Sequence, residues 1–180
     1  MPKGETFPAE WLSFADPETG VVVRQLTNHK GHSHHLYFTN PGWYEGGRKL
    51  LFGSDRNNRT NLFCVDLESG GISQLTDLDQ PPPPAETPFL FASVNPKREE
   101  AYFWHGRALV AIDLGSLEER TLYHAPEGFM TNVSADGRYV CALVFEDPSD
   151  RFGVDLLHGY VGFEEYWAAS PLSRISESTQ

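Results

Sequence analysis

Read for hydrophobic and polar positions alone, the chain is a series of short apolar runs cut by turn residues. Val21-Val22-Val23, Leu50-Leu51-Phe52, Leu62-Phe63-Cys64-Val65, Ala101-Tyr102-Phe103-Trp104 and Leu109-Val110-Ala111-Ile112 are each rich in β-branched or aromatic residues. Each is bounded by Gly, Pro, Asn, Asp or Ser, the pattern of strands joined by tight turns rather than of long helices. The pattern predicts a strand at 21–27, then a first blade over 34–76. Its inner strand falls at 35–38, a turn at 40–48, and further strands at 49–55, 61–67 and 71–76. A second blade spans 87–124, with strands at 89–94, 100–104, 108–113 and 119–124. A third, incomplete blade takes in 130–180, with strands at 130–133 and 139–145 and an aromatic-rich interruption at 146–169.

One phrase recurs along this pattern. Asp16-Pro17-Glu18-Thr19-Gly20-Val21 is answered about 50 residues on by Asp66-Leu67-Glu68-Ser69-Gly70-Gly71, and more loosely by Asp113-Leu114-Gly115-Ser116-Leu117. Repeats of roughly 40–50 residues built from short strands mark a β-propeller. The fold class expected is therefore all-β, a propeller of four-stranded blades. Since closed propellers need about four to eight blades, the two and a half predicted here read as part of one. The strand at 21–27 has no preceding partner in this reading, which suits the closing strand of a last blade that the chain lacks. Pro81-Pro82-Pro83-Pro84 is expected to be an extended connector.

Composition narrows the chemistry. With 25 acidic and 14 basic residues the net charge is -11, which argues against nucleic acid as a partner. No apolar run is long enough for a membrane-spanning helix, and the opening residues do not read as a secretory signal; the expected location is the cytoplasm. Cys64 and Cys141 each sit inside a predicted strand and read as small buried hydrophobes. Gly-rich phosphate loops, nucleophile elbows, His-Glu-x-x-His helices and paired CxxC motifs do not occur, so hydride, phosphoryl and acyl transfer gain no support.

The stretch Lys30-Gly31-His32-Ser33-His34-His35-Leu36-Tyr37-Phe38-Thr39-Asn40-Pro41-Gly42-Trp43-Tyr44, with Leu51–Arg56, Asn58–Phe63 and the opening Gly4–Trp11, strongly resembles the oligogalacturonate lyase family. The resemblance implies a seven-bladed propeller roughly twice this length, which breaks down short pectin fragments by β-elimination with a divalent cation, usually Mn2+. It also implies that the metal ligands and the base lie beyond Gln180, so no metal is expected to bind this chain tightly. The implied partner is oligogalacturonate. Independently of the resemblance, open blade edges predict self-association. The competing reading is a TolB-like propeller acting as a non-catalytic binding module, which the turn Asp136-Gly137-Arg138 fits equally well.

Elimination across a galacturonate removes the C5 proton, which is acidic only when the adjacent carboxylate is neutralised. The reaction therefore needs a cation or Arg at the carboxylate and a side chain to accept the proton. His32, His34 and His35 are candidates for substrate contact. If the strand begins early, alternation puts His32 and His34 on one face and His35 on the other. Arg56 and Arg59, on the loop after the second strand, are candidate carboxylate ligands, because a planar guanidinium binds both oxygens at once. Trp43 and Tyr44 are candidates for stacking on sugar rings. For each, the bland alternative is a structural histidine, an exposed charged hairpin or an aromatic blade cap.

Overall fold

A computed structural model describes residues 2–82, 92–145 and 157–162. The chain divides into two compact units, one made of Met1–His35 with Gly42–Phe89 and the other of Leu36–Pro41 with Leu90–Gln180.

The first unit holds strands β1 (Thr6–Phe7), β2 (Leu12–Ala15), β3 (Val22–Gln25), β4 (Ser33–His34), β5 (Trp43–Tyr44), β6 (Lys49–Ser54), β7 (Asn61–Asp66) and β8 (Ile72–Gln74). Its main sheet runs β1-β8-β7-β6-β4, with β5 also on β6. Register explains the apolar runs. Leu50 faces Val65 and Phe52 faces Phe63 across the β6–β7 ladder, and these four pack with Ile72 into one cluster, joined by Phe7, Leu26 and Leu67. Leu51 lies opposite Cys64, and both are buried as well. A strand buried on both faces reads as a continuous hydrophobic run instead of an alternating one.

Three expectations for this unit are corrected. No strand forms at 35–38, because β4 ends at His34 and residues 36–41 belong to the second unit. Trp43 and Tyr44 are not part of a turn but form β5, opposite Leu50 and Lys49. Gly42 permits this return: a Cβ there would stand 2.6 Å from the Leu51 carbonyl oxygen, while the Leu51 N–H donates to the Gly42 carbonyl at 2.8 Å. The strand within 21–27 has a preceding partner, since β3 pairs with β2 through Leu12↔Gln25 and Phe14↔Val23. That pairing makes a two-stranded ribbon, with Leu12, Phe14, Val22 and Val23 all exposed.

The recurring phrase proves to be one turn built three times. Asp16, Asp66 and Asp113 each accept on Oδ1 from the backbone N–H groups two and three residues on. The N–H of the fifth residue then donates to the Asp carbonyl, at 2.9, 2.7 and 2.9 Å. That fifth residue has positive φ in every copy, Gly20 at 71°, Gly70 at 77° and Leu117 at 62°, which explains the glycine in two of them. The hydrogen bonds from Thr19, Ser69 and Ser116 hold the three carboxyls below their usual range.

The second unit carries β9 (Ser93–Asn95), β10 (Glu100–His105), β11 (Ala108–Asp113), β12 (Glu119–His124), β13 (Glu127–Val133), β14 (Tyr139–Phe145) and β15 (Leu157–Gly162). The first four form a four-stranded sheet in the order β12-β11-β10-β9, and the rest a sheet in the order β13-β14-β15. Tyr102, Trp104, Leu109, Ala111, Ala125, Val140, Ala142 and Val144 make the core between them. Buried Glu100 accepts from the Tyr102 hydroxyl and from Arg120, both at 2.7 Å, and burial followed by this carboxylate pushes the Tyr102 hydroxyl far up. The expected interruption at 146–169 is corrected in part. Leu157–Gly162 is a strand paired with β14 from Tyr139↔Gly162 to Val144↔Leu157, so a third strand forms inside the stretch expected to interrupt the sheet. The remainder of 146–169, and the start of the expected second blade at 87–91, lie outside the described residues.

Candidate functional site

The candidate residues of the first unit gather on β4 and on the loop that follows β6. The His32 carbonyl accepts from the Asp55 N–H at 3.0 Å and from the Ser54 hydroxyl at 2.9 Å, which ties β4 to the start of that loop. Alternation places His32 and His34 on one side, and their rings stack nearly parallel, with centroids 5.7 Å apart and planes 9° from parallel. His32 is exposed and His34 half-buried. β4 ends at His34, so strand alternation does not extend to His35. His35 lines one recess with His34, together with Thr27, Ser33, Leu26, Leu50, Phe52 and Val65. At about 230 Å³ this recess is smaller than the ~300–1,000 Å³ usual for small-molecule sites.

The loop separates the two arginines. A 3-10 turn at Arg56–Asn58 is followed by Arg59 in extended backbone, and the Thr60 hydroxyl donates to the Asp55 carboxylate at 3.0 Å. The Arg59 side chain is 49% exposed, its Nη2 3.3 Å from the almost fully exposed carboxylate of Asp79. Such a pair is weak and readily exchanged, so Arg59 can take a ligand carboxylate in place of Asp79. Arg56 cannot. Its side chain is 1% exposed, and its Nη1 and Nη2 donate to the two oxygens of Glu10 at 2.6 and 3.0 Å. The guanidinium carbon lies 5.6 Å from the Phe7 ring centroid and 5.4 Å from that of Phe63. The expectation of Arg56 as a substrate ligand is corrected: it is a buried cation already matched to a carboxylate.

Glu10 is the residue that the sequence reading missed. Besides Arg56 it accepts from the Asn28 N–H at 2.9 Å, joining the chain before β4 to the loop after β6. Burial is the largest single influence on Glu10 and raises its pKa. The hydrogen bonds from Arg56 and Asn28, with the charges of Arg56 and His29, outweigh it and leave the carboxyl below its usual range. The only sequence signal was its place inside the opening Gly4–Trp11 stretch.

The two aromatic candidates also part. Trp43 is 47% exposed and open to a ligand, whereas Tyr44, next along β5, is 1% exposed. With Lys49 Nζ 5.8 Å from its ring, Tyr44 is a core residue, and its expected role in stacking on a sugar is corrected. Nor do the histidines suit a cation. Among the described residues no three His, Cys, Asp or Glu side chains gather as a ligand set.

Successive antiparallel sheets of short strands, with one turn design recurring between β2 and β3, β7 and β8, and β11 and β12, place the chain in the β-propeller class. Comparison with known proteins agrees. A solved oligogalacturonate lyase in complex with manganese superposes with a TM-score of 0.67 at 26% identity, over 81% of this chain and 39% of that one. TolB from Acinetobacter baumannii superposes with a TM-score of 0.58 at 16% identity, over 88% of this chain and 37% of that one, a likeness of fold alone. The oligogalacturonide lyase of Pectobacterium atrosepticum is 24% identical over 184 aligned positions, which cover 97% of this chain and 44% of that protein. The family model for oligogalacturonate lyase matches residues 1–177, and the chain belongs to that family. It spans less than half the length of these relatives.

Proposed function

We propose that the chain is the substrate-binding part of a lyase that cleaves short oligogalacturonates by β-elimination. The observation that carries this reading is the family match, which runs along essentially the whole chain. Within this reading the exposed side chains take distinct roles. Arg59 pairs with a uronate carboxylate in exchange for Asp79, which withdraws charge from the carboxylate and acidifies the neighbouring C5 proton. The exposed His32, stacked on His34, offers imidazole nitrogens to ring hydroxyls or to that proton. Trp43 offers a flat apolar surface to a sugar ring. Glu10 and Arg56 hold the loop that carries Arg59 and touch no substrate. Among the described residues no ligand set for a metal ion gathers.

The test is the ultraviolet absorbance of the unsaturated product, followed with the purified chain, trigalacturonate and added Mn2+. Product formation supports a complete site within residues 1–180. Binding without product, in a folded sample, leaves substrate recognition here and puts the chemistry elsewhere. The absence of both product and binding, in a folded sample, overturns the reading. Arg59→Ala is expected to weaken trigalacturonate binding about tenfold, the value of one charge-assisted hydrogen bond, and to leave thermal stability unchanged.

A further inference from the structure

Residues 36–41 of the second unit form a short turn that presents one side chain outward. The Asn40 N–H donates to the Tyr37 carbonyl at 2.7 Å, closing the turn. Both of its flanks are fixed. Leu36 is buried at 6% exposure and Asn40 at 3%. The Asn40 side-chain amide donates to the carbonyls of Ala92, at 3.2 Å, and Thr131, at 2.6 Å. Between these anchors stands Phe38, 83% exposed, more than any other large hydrophobic side chain noted as exposed among the described residues. The ring of Tyr37 lies against it, with centroids 4.4 Å apart and planes 42° apart.

A single exposed apolar side chain on a mobile loop needs no explanation. This one differs, because the backbone that carries it is held by a buried Asn bonded to two separate segments, and a second ring backs it. A large flat aromatic side chain, held in place before any ligand arrives, binds at little cost in conformational entropy. A pyranose ring suits such a surface. One face of a galacturonate is lined with C–H groups, whose partial positive charge matches the negative face of an aromatic ring, while its carboxylate stays in water.

We propose that Phe38, backed by Tyr37, is a stacking platform for one sugar ring of a uronate oligosaccharide, a site additional to Trp43 and Arg59. The inference rests on the lyase-family reading above. It is tested by calorimetric titration of the chain with trigalacturonate, for the natural sequence, Phe38→Ala and Phe38→Trp, with maltotriose as a neutral comparison. Phe38→Ala should weaken trigalacturonate binding about fivefold to tenfold and leave the melting temperature within about 2 °C. Phe38→Trp should retain the affinity, and the new indole should change its fluorescence as ligand is added. Unchanged affinity in Phe38→Ala overturns the platform while leaving the lyase reading intact. A melting temperature lowered by several degrees overturns it in favour of a packing role. Failure of the natural sequence to bind trigalacturonate, or equal binding of maltotriose, overturns the uronate reading and the platform with it.

Discussion

Arg56 and Arg59 are three residues apart on one loop, yet one is sealed in the interior and the other paired loosely at the surface. Their sequence context is nearly the same, and what separates them is Glu10, 46 positions upstream of Arg56. A long-range ion pair of this kind leaves no local signal, which explains why both arginines read as ligands and Glu10 as nothing in particular. Removing the carboxylate leaves a buried guanidinium without its counter-charge, so Glu10→Ala is expected to cost about 3 kcal/mol of stability, measured by urea denaturation. The pH dependence follows from the lowered pKa of Glu10. Its contribution is complete above the unfolded carboxyl value of about 4.3 and is lost as pH falls through the lower folded value. Denaturation midpoints measured between neutral and acid pH should therefore fall less steeply for Glu10→Gln than for the natural sequence. An equal slope for the two would remove Glu10 from the acid sensitivity.

At the scale of the element, the Asp turn was the most legible feature of the chain. It is local, repeated, and dictated by one side chain and one positive φ. The three copies are equal in backbone but not in surroundings. A Cβ at Gly20 meets nothing within 4 Å, while at Gly70 it would stand 2.6 Å from Ala9 Cβ and 2.9 Å from the Trp11 ring. Gly20→Ala should cost about 1 kcal/mol, for the left-handed backbone alone. Gly70→Ala should cost about 3 kcal/mol, for the same backbone plus overpacking, and thermal denaturation of the pair separates the two contributions. The element that resisted reading was the segment from 35 to 44. Its apolar run suggested a strand, but Asn40 bonds carbonyls 52 and 91 positions away, and those distant partners overrule local β-propensity.

For the molecule as a whole, fold class came from repetition, and the family from residues clustered in 4–63. Neither needs the details of any one contact, which is why both could be read early. The exposed apolar ribbon of β2 and β3 belongs to this scale too, because a two-stranded sheet is only marginally stable alone and its free edges invite pairing. Self-association is expected to be opposed by the net charge of -11, so it should strengthen as salt screens that repulsion. Sedimentation velocity at low and high ionic strength checks this, with Phe14→Lys and Val22→Lys expected to hold the protein monomeric at both. Association that weakens with salt would instead point to pairing between opposite charges.

The openness around Gly20 has a practical side. The turn from Pro17 to Gly20 is exposed, and its form comes from its own Asp16 hydrogen bonds. A fluorophore or spin label attached through Glu18→Cys would report chain association through the β2–β3 ribbon while leaving the candidate site residues untouched.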